Sequence, residues 1–428
     1  MKESRQLYYY YGILFIVNLF AGLRYHGDAS VMMRLAFMFM VIVPAFQHVK
    51  LMPAIISLFF VSSTAGYIEG LMPSQLYWYA TILVMAIVPL FFRHIPLGKV
   101  PIFFWLLLFL VTLVNLLDGM SIEHITYSIF IITGFLLILR RRNDEVVSLF
   151  SLVFALISLS LSVMFIMADP TDIATYSYSG LERVNAFSDP NYFACTLGMG
   201  ALTSVIEIFR PVKKPFYLKA FYIFVTAFSF VILILNASRG GVLSFAVAAA
   251  VIISFSRIGK TGKLASIVAL GLLIVFIYEN NYFALLEYRL QNDTGGGSQR
   301  TYIWMYKLTA FAQDSNFLHW LVGNGHNGGL AIGGSQFGYG AGKVLGFHND
   351  FIAFLVDYGI IGLSLFIGLL YTMFRQAKKN KPMRIFCYAA LVFIFIQAMT
   401  LEPFTAGGLP IWTFAMYTML LCQNKVQA

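Results

Sequence analysis

Four polar clusters in this 428-residue chain carry residue types suited to chemistry on a phosphate ester. The first is Arg183-Val-Asn-Ala-Phe-Ser-Asp-Pro-Asn191, and the second is Ser238-Arg239-Gly240-Gly241. The third is Gly295-Gly-Gly-Ser-Gln-Arg300-Thr-Tyr-Ile-Trp304, followed by Lys307, Leu308 and Phe311, and the fourth is His348-Asn349-Asp350. A guanidinium fork matches the oxygens of a phosphate two at a time. Histidine can take or give a proton near neutral pH. Arginines at these positions would suit phosphate binding, and the histidine proton transfer. Plainer roles compete at each position. Asp189 and Pro190 suit a helix cap and first turn, Arg239 reads equally as an interfacial anchor, and a lone histidine at a span end is commonly a polar boundary residue. His319 and His326 compete with His348 for the proton-handling role.

The elements that must position these clusters are membrane helices. The chain is 59% hydrophobic and 11% charged, where soluble domains carry roughly 25% charged residues. Apolar runs of about 20 residues cross the hydrocarbon as helices, and the backbone must satisfy its own polar groups there. The pattern predicts an all-α integral membrane protein with about 12–14 spans, at 7–25, 29–46, 51–68, 76–92, 100–117, 122–139, 146–168, 190–209, 216–235, 241–256, 264–282, 349–374, 384–400 and 408–422. Residues 1–428 read as a single polytopic domain, and 283–347 as one large loop within it that contains short helices.

Charge orients the bundle. With the N-terminus in the cytoplasm, only Arg24, Arg183, Arg239, Arg289, Arg300, Lys307 and Lys343 of the 29 Lys and Arg fall outside, and Arg34 lies in a span. This bias predicts cytoplasmic termini and an extracytoplasmic long loop. It also accounts for the net charge of +10 without a nucleic-acid partner. Cys195, Cys387 and Cys422 fall in spans, where packing is the expected role, and no metal-ligand spacing is evident.

Within the loop, Trp304, Leu308 and Phe311 recur at helical spacing and predict a short amphipathic helix with Arg300 near its start, where the helix dipole favours anions. Residues 323–346 hold ten glycines in 24 positions. That stretch reads as a flexible lid or as backbone threaded tightly past a ligand. Asp350 and Asp357 are two helical turns apart and share a face.

The order of Arg and Asp-Pro-Asn, Ser-Arg-Gly, Arg-x-x-x-Trp leading to Gly323-x-Gly325, then His-Asn and Gly-Ile-Ile-Gly resembles the O-antigen ligase and polymerase superfamily over roughly residues 180–370. The resemblance implies a GT-C-like helical fold in the bacterial cytoplasmic membrane. It implies an inverting, metal-independent glycosyltransferase whose donor is a glycan on undecaprenyl diphosphate and whose acceptor is a glycan or lipid A core hydroxyl. No cofactor is implied, and the partners are the bilayer and a chain-length regulator. Carried onto this sequence, Arg239 and Arg300 would hold the diphosphate and His348 would serve the acceptor hydroxyl, making these three the catalytic candidates. Arg183 and Arg289 would add donor contacts, with Asn349, Asp350 and Asn191 in support.

Two outcomes stay open within that resemblance. Polymerisation of O-antigen, capsule or exopolysaccharide is the preferred reading, and ligation of finished chains to lipid A core is its alternative. A lipid-linked glycan flippase or transporter is the alternative of another class. It is disfavoured because transporters tend to show related halves with polar groups at mid-membrane, whereas these charges gather at one surface.

Overall fold

The computed structural model describes residues 102–117, 144–167, 174–178, 181–185, 190–256, 259–291, 300–314, 316–325, 346–405 and 409–423. The predicted spans 7–25, 29–46, 51–68, 76–92 and 122–139, the glycine-rich residues 326–345 and Asp189 lie outside the described residues.

In chain order the helices are α1 (Ile102–Leu117), α2 (Asp144–Met167), α3 (Pro190–Phe209), α4 (Phe216–Leu235), α5 (Arg239–Phe255) and α6 (Lys260–Glu279). Short helices α7 (Ala284–Gln291), α8 (Arg300–Asp314) and α9 (Phe317–Val322) follow in the long loop. The series ends with α10 (Asp350–Lys379), α11 (Arg384–Thr400) and α12 (Leu409–Gln423). Every span predicted within the described residues is therefore a helix, as apolar runs that must bond their own backbone require. Among them α3, α4, α6 and α10 are long and apolar enough to cross a membrane, and α1, α5, α11 and α12 are shorter apolar helices.

One element departs from the all-helical expectation. Ala174–Tyr178 (β1) pairs antiparallel with Leu181–Asn185 (β2), with Tyr176 opposite Arg183. The signal was present in sequence, because Thr-Tyr-Ser-Tyr ahead of Ser179-Gly180 is a β-rich run followed by a two-residue turn pair. β2 lies against α3 and α7.

Small residues let the central helices close up. A Cβ on Gly200 would lie 2.3 Å from the Phe154 carbonyl oxygen, and one on Gly241 would lie 2.7 Å from the Ala194 Cβ. Such contacts let membrane helices gain packing where lipid offers no hydrophobic driving force. Ser158 bonds the Leu197 carbonyl at 2.9 Å and the Ser229 hydroxyl at 2.7 Å, joining α2, α3 and α4. At the far end of α3, Arg210 meets Asp144 at 2.9 Å and Glu207 at 3.0 Å, while Lys214 reaches Glu207 at 3.0 Å. Pairing offsets the cost of holding these charges out of water. The three cysteines are buried and free, in keeping with a packing role.

The helix α10 is broken. Gly359 has φ 68° and ψ −171°, which no helix interior contains. In a straight helix Phe354 and Phe366 would stand roughly 18 Å apart along the axis, yet their rings stack with centroids 4.4 Å apart. Residues 350–358 therefore fold back along the part of α10 that follows Gly359. The break orphans carbonyls at the end of the first segment. The strand of loop after α9 meets them: Asn324 N–H donates to the Val356 carbonyl and Gly325 N–H to the Asp357 carbonyl, both at 3.0 Å. This close approach needs glycine on both sides, since a Cβ on Gly323 would lie 2.1 Å from the Asp357 oxygen and one on Gly359 would lie 2.3 Å from the Leu321 carbonyl carbon.

Candidate functional site

The fold-back of α10 returns the His348 corner to the end of α11, where the other clusters also arrive. Three residues link α4 to α5: Asn236 caps α4, Ala237 takes φ 53°, and Ser238 is the N-cap of α5. The Ser238 hydroxyl donates to Asn191 Oδ1 at 3.1 Å, tying this turn to the start of α3. Arg239 is the first residue of α5 and is half-buried. Its neighbour Gly240 sits under Thr400, where a Cβ would come 2.6 Å from the Thr400 hydroxyl. Arg289, on α7, donates to the Ala237 carbonyl in the same turn.

Arg300 opens α8, as its sequence position suggested, and donates to the Thr400 carbonyl at the end of α11. A guanidinium there also satisfies one of the carbonyls that every helix C-terminus leaves open. The packed face of α8 differs from the expected one. Ile303, Lys307 and Phe311 are buried, whereas Trp304 and Leu308 are half-buried. Trp304 still anchors the loop, donating from Nε1 to the Phe347 carbonyl at 2.6 Å.

Glu402 holds this corner together. Its Oε2 accepts the Phe347 N–H at 2.7 Å. The backbone passes so close that a Cβ on Gly346 would lie 1.9 Å from Glu402 Oε1. His348 is half-buried and has φ 50°. A non-glycine residue in that left-handed region costs roughly 1–3 kcal/mol and persists where its surroundings over-determine it. The next residues supply the rest of the restraint. Asn349 caps α10 by accepting the N–H groups of Phe351 (3.0 Å) and Ile352 (3.2 Å), and donates to the Met399 carbonyl at 3.4 Å. The buried Asp350 carboxylate accepts the N–H groups of Phe404 (3.1 Å) and Thr405 (3.0 Å) and the Thr405 hydroxyl (3.1 Å).

Glu402 and Lys307 titrate away from their ordinary ranges. Burial pushes the Glu402 carboxyl up to about 7, against the bond from Phe347 and the charges of Lys307 and Arg300 that favour its ionised form. Burial likewise draws the Lys307 ammonium down to about 8, opposed by Glu402 and Asp357.

The structure thus gathers Asn191, Arg239, Arg289, Arg300, His348, Asn349 and Asp350 around residues 399–405, through bonds or through a bonded neighbour. Arg183 is placed by its backbone alone, in β2 beside α7. His319 lies on α9, where its N–H is accepted by Asn316 Oδ1 at 2.9 Å. Glu402 and Lys307 were missed as site residues in the sequence. Glu402 is the lone acidic residue of the connection between the last two predicted spans, which is the signal that would have found it. Among the described residues no three His, Cys, Asp or Glu side chains cluster as a metal site would require.

No curated protein matches the chain. Residues 224–367, which include Arg239, Arg289, Arg300 and His348, match the family model described as O-Antigen ligase. The chain is thus similar to O-antigen ligases over residues 224–367, and four of its described helices are long and apolar enough to cross a membrane.

Proposed function

We propose that the protein transfers a glycan from undecaprenyl diphosphate to a hydroxyl of an acceptor glycan on the outer side of the cytoplasmic membrane, extending a surface polysaccharide. The observation that carries this reading is the convergence of the Arg239 turn, Arg300 and the His348 corner on the end of α11. Three sequence-distant elements are pinned to one helix end, as a site for two substrates requires. The distribution of Lys and Arg supports an outward-facing site.

The reaction breaks the bond between the anomeric carbon and the diphosphate oxygen and forms one to the acceptor oxygen. The electron pair leaves with undecaprenyl diphosphate, and the acceptor proton passes to His348. Arg239 and Arg300, with Arg289 and Arg183 as further donor contacts, meet the charge that grows on the leaving group. Preorganised donors in a water-poor site stabilise such charge strongly. Guanidinium groups suffice for that task in this reading, without a metal. One direct displacement inverts the anomeric centre.

Ligation is a second reading, favoured by the description of the matching family. Acceptor choice decides between them. The purified protein in liposomes, given lipid-linked repeat units, should yield a ladder of lengthening chains. Transfer of one preassembled chain to lipid A core, with no ladder, would favour ligation. Lipid translocation without transfer would overturn both.

A further inference from the structure

A lysine on the packed face of a short helix is costly, because an ammonium removed from water must be compensated. Lys307 is 2% exposed, while its helix neighbours Met305 and Tyr306 are 64% and 43% exposed. Its Nζ lies 3.8 Å from the centroid of the Phe347 ring. Two carboxyl groups from other elements act on it: Glu402, in the segment after α11, and Asp357, just before the break in α10. Glu402 is in turn influenced by Arg300, and Asp350 feels Glu402. Phe347 is the chain neighbour of His348, and its N–H is held by Glu402 Oε2 at 2.7 Å.

On the reading of function above, we infer that Lys307 is a positioning residue for His348, acting through the Phe347 ring on which its ammonium sits and the Glu402 carboxylate that holds the Phe347 N–H. A carboxylate accepts backbone N–H groups more strongly than a neutral acid does. Without the ammonium, Glu402 takes up a proton more readily, its hold on Phe347 weakens, and the left-handed corner is free to relax. Lys307 touches no substrate in this scheme.

Lys307→Met separates positioning from packing. Methionine keeps the length and apolar stem, and replacing a buried charge by an apolar side chain is often neutral or stabilising. Lys307→Arg keeps the charge. The positioning role predicts that Lys307→Met lowers kcat about ten- to a hundredfold, as sub-ångström to ångström misplacement does, while donor KM changes little. It also predicts that the acid limb of the pH profile moves up by about one unit, that Lys307→Arg restores most of kcat, and that Phe347 and His348 amides exchange faster in Lys307→Met while those of α3 do not. If the wild type transfers glycan and Lys307→Met retains its kcat, pH profile and amide exchange, the inference is overturned. If the wild type transfers none while the two amides still loosen, the reading of function falls and the coupling of Lys307 to His348 stands.

Discussion

Glu402 holds Phe347 by its backbone: the carboxylate accepts the Phe347 N–H at 2.7 Å, bracing the chain beside His348, whose φ is 50°. Glu402→Ala removes this acceptor, and a loss of about a hundredfold in kcat is expected from a misplaced proton acceptor. Donor binding should change far less, since Arg289 and Arg300 bond the Ala237 and Thr400 carbonyls and not the Glu402 carboxylate. Steady-state kinetics with purified lipid-linked donor would reveal a fall in donor affinity instead, if Glu402 served binding.

The same carboxyl gives the pH profile a sign. With Glu402 pushed up to about 7, its ionised form grows in as pH rises through 7, and the rate of the wild type should rise with it. In Glu402→Gln this contribution to the acid limb should disappear. An unchanged acid limb would assign the titration to another group.

Stability should respond in the opposite direction. A carboxyl whose folded value of about 7 exceeds its ordinary 4.5 binds its proton more tightly when folded. Its stabilising contribution is complete below about 4.5 and is lost as pH rises through about 7. Thermal unfolding in detergent should therefore show Glu402→Gln gaining on the wild type between pH 5 and pH 8. A constant difference across that range would contradict the burial of this group.

Gly359 tests the broken helix. Its φ of 68° and the Leu321 carbonyl carbon 2.3 Å from a notional Cβ leave no room for alanine. Gly359→Ala should destabilise by at least roughly 1–3 kcal/mol, the usual cost of forcing such a conformation. A measured loss near zero would mean that α10 runs straight through this position.

Arg300 separates capping from chemistry. Its bond to the Thr400 carbonyl alone would make Arg300→Ala a modest stability variant. As a diphosphate ligand, its removal should cost about a hundred- to a thousandfold in transfer with a small change in Tm. Activity that merely tracks Tm across Arg300→Ala, Arg300→Lys and the wild type would leave only the cap.

Much of this arrangement was legible in the chain because bilayer physics leaves few alternatives. Apolar runs fixed α3, α4 and α11 within a residue or so of their observed limits, and Pro190 and Arg300 both open helices as anticipated. Residues 350–358 were read as the start of one straight span. Hydropathy carries no sign of a reversal, and the Gly359 that permits it looks like any glycine in a membrane helix. Lys307 was hidden for a related reason. Helical spacing marked Trp304, Leu308 and Phe311 as the packed face, but burial of a lysine depends on Phe347 and Glu402, which come from distant parts of the chain. Glu402 itself lacked any local motif, and its importance comes from Gly346 and Phe347, which lie against its carboxylate. The glycine run proved informative at its end, where Gly346 lets the backbone pass beside that carboxylate.

The most direct measurement is glycan transfer by the reconstituted protein from a purified undecaprenyl-diphosphate-linked donor, comparing the wild type with His348→Ala and Arg300→Ala. The expected result is robust transfer by the wild type and a loss of at least about a hundredfold in each variant, with both variants folded. Full transfer by both variants would contradict a site built from Arg300 and His348 at the end of α11.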